Sequence, residues 1–127
     1  MSKPASSRML LAKRVEPIYI KAMRLQDCPV TATIDVIGGK WKPLILNELK
    51  AGPRHFGALQ KRIEGASHKV LTEQLRQLEA DGIVQRRKID GPVHRTEYSL
   101  SEYGTSLRPI LNAMSDWGKR FRARASH

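Results

Sequence analysis

Ser67-His68-Lys69-Val70-Leu71-Thr72-Glu73-Gln74-Leu75-Arg76-Gln77-Leu78-Glu79-Ala80-Asp81-Gly82 reads as one helix with a start, a buried stripe and a stop. Ser67 can cap the free N–H groups of the first turn. Gly82 supplies the left-handed residue that ends a helix. Leu71, Leu75 and Leu78 recur at i, i+4 and i+7, so they share one inward face. At roughly 100° per residue from Leu71, Thr72 lies near 100°, Arg76 near 140°, Lys69 near 160° and Glu73 near 200°. Three donors and one acceptor therefore occupy the outward face. Lys and Arg on such a helix can reach phosphates and guanine edges in a DNA major groove. A plain solvated helix presents the same face, so the flanking sequence has to discriminate.

Upstream, Phe56, Leu59 and Ile63 fall on one side of a shorter helix, and Gly65-Ala66 turns the chain into Ser67. Two short helices joined this way, the second polar outside, are the pattern of a helix-turn-helix. Downstream the period changes. Ile83–Ile89 is β-prone and basic, Asp90-Gly91-Pro92 is a turn signal, and Arg95–Leu100 alternates as a returning strand. Arg86, Arg87, Lys88, His94 and Arg95 surround the tip of this hairpin. Beside a reading helix it is placed to act as a wing on the DNA backbone or in the minor groove. Alone it is an ordinary polar hairpin that closes the core.

Further out, Pro29 suits the first turn of a helix whose apolar side is Val30, Ile34 and Ile37, ended by Gly38-Gly39. A second helix over about Trp41–Lys50 turns Leu44, Ile45 and Leu49 inward, and a very short strand is expected at His55-Phe56. The last helix is expected from Ser101, as its cap, to about Arg124. Gly104 and Pro109 weaken its first turns. Leu107, Ile110, Leu111, Met114, Trp117 and Phe121 recur at three and four. That stripe exceeds what one small domain needs, which points to a second copy in a two-fold dimer. Residues 1–26 form a basic extension of partly helical character, interrupted at Pro17. The domain proper is taken as residues 27–127.

Composition narrows the partner class. Twenty-three Lys and Arg stand against twelve Asp and Glu, a net charge of +11. The excess lies on both ends of the chain and on residues 54–95, where nine basic residues face five acidic ones. Such a balance favours a polyanion. The single cysteine, Cys28, excludes an intramolecular disulfide and fits a reducing cytoplasm. No stretch approaches the ~20 apolar residues of a membrane span, and no secretory signal is recognisable. His55, His68, His94 and His127 are scattered without metal-ligand spacing. Gly38-Gly39-Lys40-Trp41 lacks the pattern of a phosphate loop. No catalysis, cofactor or metal is expected.

Several stretches resemble one family. Cys28-Pro29-Val30 with Asp35-Val36-Ile37-Gly38-Gly39-Lys40-Trp41 is similar to the opening signature of the HxlR-type, MarR-like regulators. So are Phe56-Gly57-Ala58-Leu59, Ser67–Thr72 with Leu75-Arg76-Gln77-Leu78-Glu79, Glu97-Tyr98-Ser99-Leu100 and Trp117-Gly118. The resemblance spans roughly residues 27–118. Residues 1–26 fall outside it. Gly91-Pro92-Val93-His94-Arg95 departs from the paired proline and arginine that family members often carry at the wing tip. The resemblance implies a bacterial cytoplasmic homodimer that binds operator DNA, with dimer contacts from the N- and C-terminal helices. It also implies sensing of oxidants or electrophiles through Cys28 in some members. A sulfur ahead of a helix N-terminus faces the positive end of the dipole, which favours thiolate, and Asp27 opposes this. A small inert cap residue is the other reading of Cys28.

The expected architecture is α+β, mainly α: a winged helix-turn-helix with a β-hairpin wing and added N- and C-terminal dimerisation helices. Ser67, His68, Lys69, Thr72 and Arg76 are the candidate base-reading set, on double-stranded DNA with palindromic symmetry. A protein- or RNA-interaction module remains open at this level, as does a regulator with a small-molecule pocket at the dimer interface.

Overall fold

Val70 N–H donates to Ser67 Oγ at 3.1 Å, so the serine caps the central helix as its position predicts. The computed structural model describes residues 27–93 and 95–125. The basic extension over residues 1–26, with its Pro17 break, lies outside the described residues, as do His94 of the hairpin tip and His127. Within them the chain runs α1 (Pro29–Ile37), α2 (Lys42–Leu49), β1 (Arg54–His55), α3 (Phe56–Arg62) and α4 (His68–Ala80). It continues through β2 (Val84–Ile89), β3 (Arg95–Leu100), a 3-10 turn (Gly104–Leu107) and α5 (Arg108–Ala125). This is a mainly helical winged-helix fold with a small antiparallel sheet.

Leu71, Leu75 and Leu78 are fully buried, against Ile45, Leu46, Leu49 and Leu59. Gly82 takes φ +77°, and Ile83 N–H returns to the Leu78 carbonyl at 3.0 Å, which closes α4. The sheet order is β1-β3-β2. Val84 pairs with Leu100 and Ile89 with Arg95, so β2 and β3 form the hairpin read from the sequence. Two residues of β1 pair on the other edge of β3. That strand ends one residue earlier than expected, because Phe56 already opens α3.

Three inward assignments shift. On α1 only Ile37 is buried, while Val30 and Ile34 are 65% and 58% exposed. On α2 Leu44 faces outward and Leu46 inward. Either residue flanks the Ile45–Leu49 row by about 100°, so the packing partner decides which side is covered. The final helix divides. Ser101 Oγ accepts from Gly104 N–H at 2.9 Å and so caps the 3-10 turn rather than the long helix. α5 begins at Arg108, with Pro109 in its first turn, where a missing N–H costs little.

The division changes the fate of the apolar stripe. Leu107 and Leu111 join the core of the chain itself. Ile110, Met114, Trp117 and Phe121 stay outside as an exposed row. Trp117 and Phe121 stack with centroids 5.4 Å apart and planes at 10°. Thus two of the six residues expected at a dimer seam serve the single chain. Periodicity alone could not separate them from the other four.

Candidate nucleic-acid interface

α3, the turn at Glu64-Gly65-Ala66 and α4 make the helix-turn-helix. It is braced from behind by Glu48 on α2, whose carboxylate accepts from Arg62 Nε at 3.1 Å and Nη2 at 3.3 Å. The same pairing drives the Arg62 guanidinium further up in pKa. With the leucines committed to the core, α4 presents Ser67, His68, Lys69, Glu73 and Arg76 to solvent, and Thr72 half-exposed. Lys69, Thr72, Glu73 and Arg76 are the side chains that the helical phase placed outward.

The wing stands beside this face. Arg86, Arg87, Lys88 and Arg95 are all exposed. Two of them are held by acids of the same chain: Arg86 Nε lies 3.4 Å from Glu79 Oε2, and Arg87 Nη2 lies 3.1 Å from Glu97 Oε1. The first pair ties the wing base to α4. The second crosses the hairpin, since Arg87 and Glu97 are register partners. Both are surface pairs, worth at most about 1 kcal/mol, so a phosphate can displace the carboxylate. Of the five candidate wing residues, Arg86 and Arg87 thus carry acidic partners, while Lys88 and Arg95 have none among the described residues. His94 is not described. Behind them Tyr98 is buried. Burial pushes its phenol up in pKa, Arg86 opposes this, Glu79 adds to it and Arg76 opposes it. Arg76, Glu79 and Arg86 therefore share one field at the junction of helix and wing.

Between α4 and β3 lies a cleft of about 720 Å³. Thr72 and His68 of the candidate base-reading set and Arg95 of the wing line it. So do His55, Lys61 and Thr96, which sequence reasoning missed. These come from three separate elements, and no spacing rule links them. The Phe56 ring packs against His68 at 4.6 Å and against Tyr98 at 6.4 Å, which joins the three walls.

On another face, Val30, Ile34, Ile37 and Pro43 meet Ile110 and Met114 around an apolar groove of about 520 Å³. Cys28, half-buried, stands just ahead of this helix. It is the N-cap residue of α1 without a side-chain cap bond, and its carbonyl accepts from Ala32 N–H at 3.0 Å. No group of three or more His, Cys, Asp or Glu among the described residues could hold a metal. None of the described helices is long and apolar enough to cross a membrane.

Comparison with known proteins agrees with this arrangement. The family model described as HxlR-like helix-turn-helix matches residues 36–126. An uncharacterized HTH-type transcriptional regulator of Bacillus subtilis, YdeP, is 39% identical over 99 residues, or 78% of this chain and 77% of that protein. The redox regulator HypR in its oxidized form superposes with a TM-score of 0.70 at 42% identity, covering 73% of this chain and 96% of HypR. The reduced form of the transcriptional regulator YodB from B. subtilis gives 0.65 at 32% identity, covering 74% and 93%. These relatives are transcriptional regulators and not enzymes. With α3 and α4 forming the helix pair and β2–β3 the wing, the chain belongs to the HxlR-like helix-turn-helix family of transcriptional regulators.

Proposed function

We propose that the protein is a homodimer that recognises a palindromic operator and controls transcription from it. The observation that carries this reading is the division of α4: three leucines fully buried on one side, and Lys69, Glu73 and Arg76 exposed on the other, next to a cationic hairpin. Ser67, His68, Lys69, Thr72 and Arg76 address the major groove. Arg86, Arg87, Lys88, His94 and Arg95 hold the backbone or minor groove. Two copies meet through the exposed row Ile110, Met114, Trp117 and Phe121, together with Val30 and Ile34. That places two reading helices about one helical turn apart on the duplex.

Selection of bound fragments from random DNA by the purified protein tests this. Recovery of an inverted repeat supports it, and recovery of no shared sequence counts against it. On the recovered site Arg76→Ala costs about 1–3 kcal/mol, and on unrelated DNA almost nothing. Lys88→Gln weakens both alike and flattens the salt dependence. Equal losses on both DNAs for Arg76 would reduce it to a phosphate contact.

A redox response through Cys28 is the second part of the proposal. It is supported by the similarity to the redox regulator HypR and by the place of the half-buried Cys28 at the N-cap of α1. Peroxide oxidises the thiolate to a sulfenic acid and is itself reduced to water or hydroxide. A thiol of a second molecule then displaces water to form a disulfide. As the chain has one cysteine, that second thiol belongs to the partner subunit or to a small thiol. Operator affinity that is the same before and after peroxide, with Cys28 shown to be oxidised, sinks this part.

A further inference from the structure

We propose that Glu79 is a specificity-determining residue: by gripping Arg86 it fixes the wing to α4, and so favours the operator over unrelated DNA without touching a base. The inference rests on the DNA-binding reading above and deepens it. At roughly 100° per residue from Leu71, Glu79 lies near 80°, on the same side of α4 as Thr72 and Arg76. A free acid on that side repels phosphates and lowers affinity for any duplex. Here the acid is not free. Its Oε2 lies 3.4 Å from Arg86 Nε on β2, so the carboxylate links the last turns of α4 to the wing.

The place of that link on the hairpin gives it leverage. Arg86 is the register partner of Tyr98. Tyr98 is buried, with its ring 6.4 Å from that of Phe56. Beyond this pair, from Arg87 to Val93 and from Arg95 to Glu97, no residue of the hairpin is buried. The wing thus leaves the core at the rung where Glu79 takes hold. Arg87 and Glu97, one rung further out, form a pair of the same chemistry at 3.1 Å. That pair joins two strands already held in register by their backbones, so it adds little orientation. The Glu79–Arg86 pair joins two different elements. Operator and unrelated DNA feel the loss of each pair differently. Phosphate contacts bind any duplex, whereas base contacts need helix and wing in one fixed placement. Removing either carboxylate frees an arginine for phosphate and raises affinity for every duplex. Removing Glu79 also lets the wing move against α4, and ordering it again is a cost borne by the complex with fixed geometry. For Glu79 the two effects oppose each other on the operator, and only the first acts on unrelated DNA. For Glu97 the first acts alone on both.

The test uses the full chain, the duplex recovered by selection and an unrelated duplex of equal length, with affinities measured from about 50 to 200 mM salt. Glu79→Gln keeps the size of the side chain and removes its charge. On the unrelated duplex it is expected to steepen the log–log salt slope by about one, a gain about fourfold larger at the low-salt end than at the high-salt end. On the operator no gain is expected at low salt, so the ratio of operator to unrelated affinity falls by about fourfold there. Glu97→Gln is expected to raise both affinities alike and to keep the native ratio. Glu79→Gln that raises both affinities alike makes Glu79 a charge and nothing more. Glu79→Gln that weakens both alike makes it a stabilising contact and nothing more. Either result, or a fall in the ratio as large for Glu97→Gln, overturns the proposal and leaves the DNA reading intact. Selection that recovers no shared sequence, or native protein that binds both duplexes equally, overturns the operator reading and this inference together.

Discussion

Gly104 lies directly against the backbone of Ile83: a Cβ on Gly104 would run into the Ile83 carbonyl and lie 3.3 Å from its Cα. That carbonyl is already used by Ser101 N–H at 2.9 Å, and the Ser101 hydroxyl donates to the Gly82 carbonyl at 2.6 Å. The end of α4, the base of the wing and the approach to α5 are thus knotted together by backbone contact. Gly104→Ala forces them apart and is expected to cost about 1–3 kcal/mol, read from the midpoint of urea unfolding. An unchanged midpoint would mean that the chain yields at this contact without cost.

Leu75 is buried on every side within the core behind α4. Truncation to Ala leaves a cavity under α4, with an expected loss of about 2–5 kcal/mol. Leu75→Met, close in volume, is expected to cost under about 1.5 kcal/mol. Thermal unfolding of the two variants side by side checks the pair.

Ser67 caps α4 and is proposed to face DNA, and substitution can separate the two. Removing the cap in Ser67→Ala costs about 1 kcal/mol of stability. Asp caps as well as Ser and suits the positive helix end, so Ser67→Asp is expected to keep the native unfolding midpoint. A negative charge at the end of α4 proposed to face DNA should nevertheless weaken duplex binding at low salt. If Ser67→Asp binds like the native protein, Ser67 does not face the duplex.

Trp117, 62% exposed and stacked on Phe121, is the centre of the proposed seam between copies. Trp117→Glu is expected to give a monomer in sedimentation, with a melting temperature independent of protein concentration. The native protein should melt higher as it is concentrated. A Trp117→Glu variant with the native mass in solution places the seam elsewhere.

Tyr98 gives an alkaline limb to the stability curve. Burial raises its folded pKa above the ordinary tyrosine value of about 10. Its neutral form is thereby favoured in the folded chain. The corresponding stability is fully present below the unfolded value and is lost as pH rises through the folded one. Urea midpoints should fall above about pH 10, and Tyr98→Phe should flatten that fall while leaving the neutral-pH midpoint nearly unchanged.

The parts of this fold that could be read from sequence are those whose signals are local. Ser67, the three leucines and Gly82 delimit α4 because cap, period and stop all lie within one stretch. The hairpin was legible for the same reason. What escaped is decided by packing partners far along the chain. Leu44 and Leu46 flank the same buried row, and only the neighbouring elements choose between them. Leu107 and Leu111 belong to the same three-and-four stripe as Trp117 and Phe121, yet they lie at its inner margin, about 60–120° round the helix from the exposed row, and only the elements they pack against decide that they are covered. The Glu79 and Glu97 partners of Arg86 and Arg87 were likewise hidden, as was the meeting of His55, Lys61 and Thr96. A helix phase predicts an outward face, but not which acid or cleft that face will meet.

Among the described residues β2 has β3 on one side only, and its other backbone edge carries no strand. Arg86, Arg87 and Lys88 occupy that edge, and like charges repel an approaching twin. The cations that suit a duplex therefore also keep one molecule's hairpin from zipping onto another's. Neutralising all three at once would exchange a nucleic-acid ligand for the hazard of fibrous self-assembly.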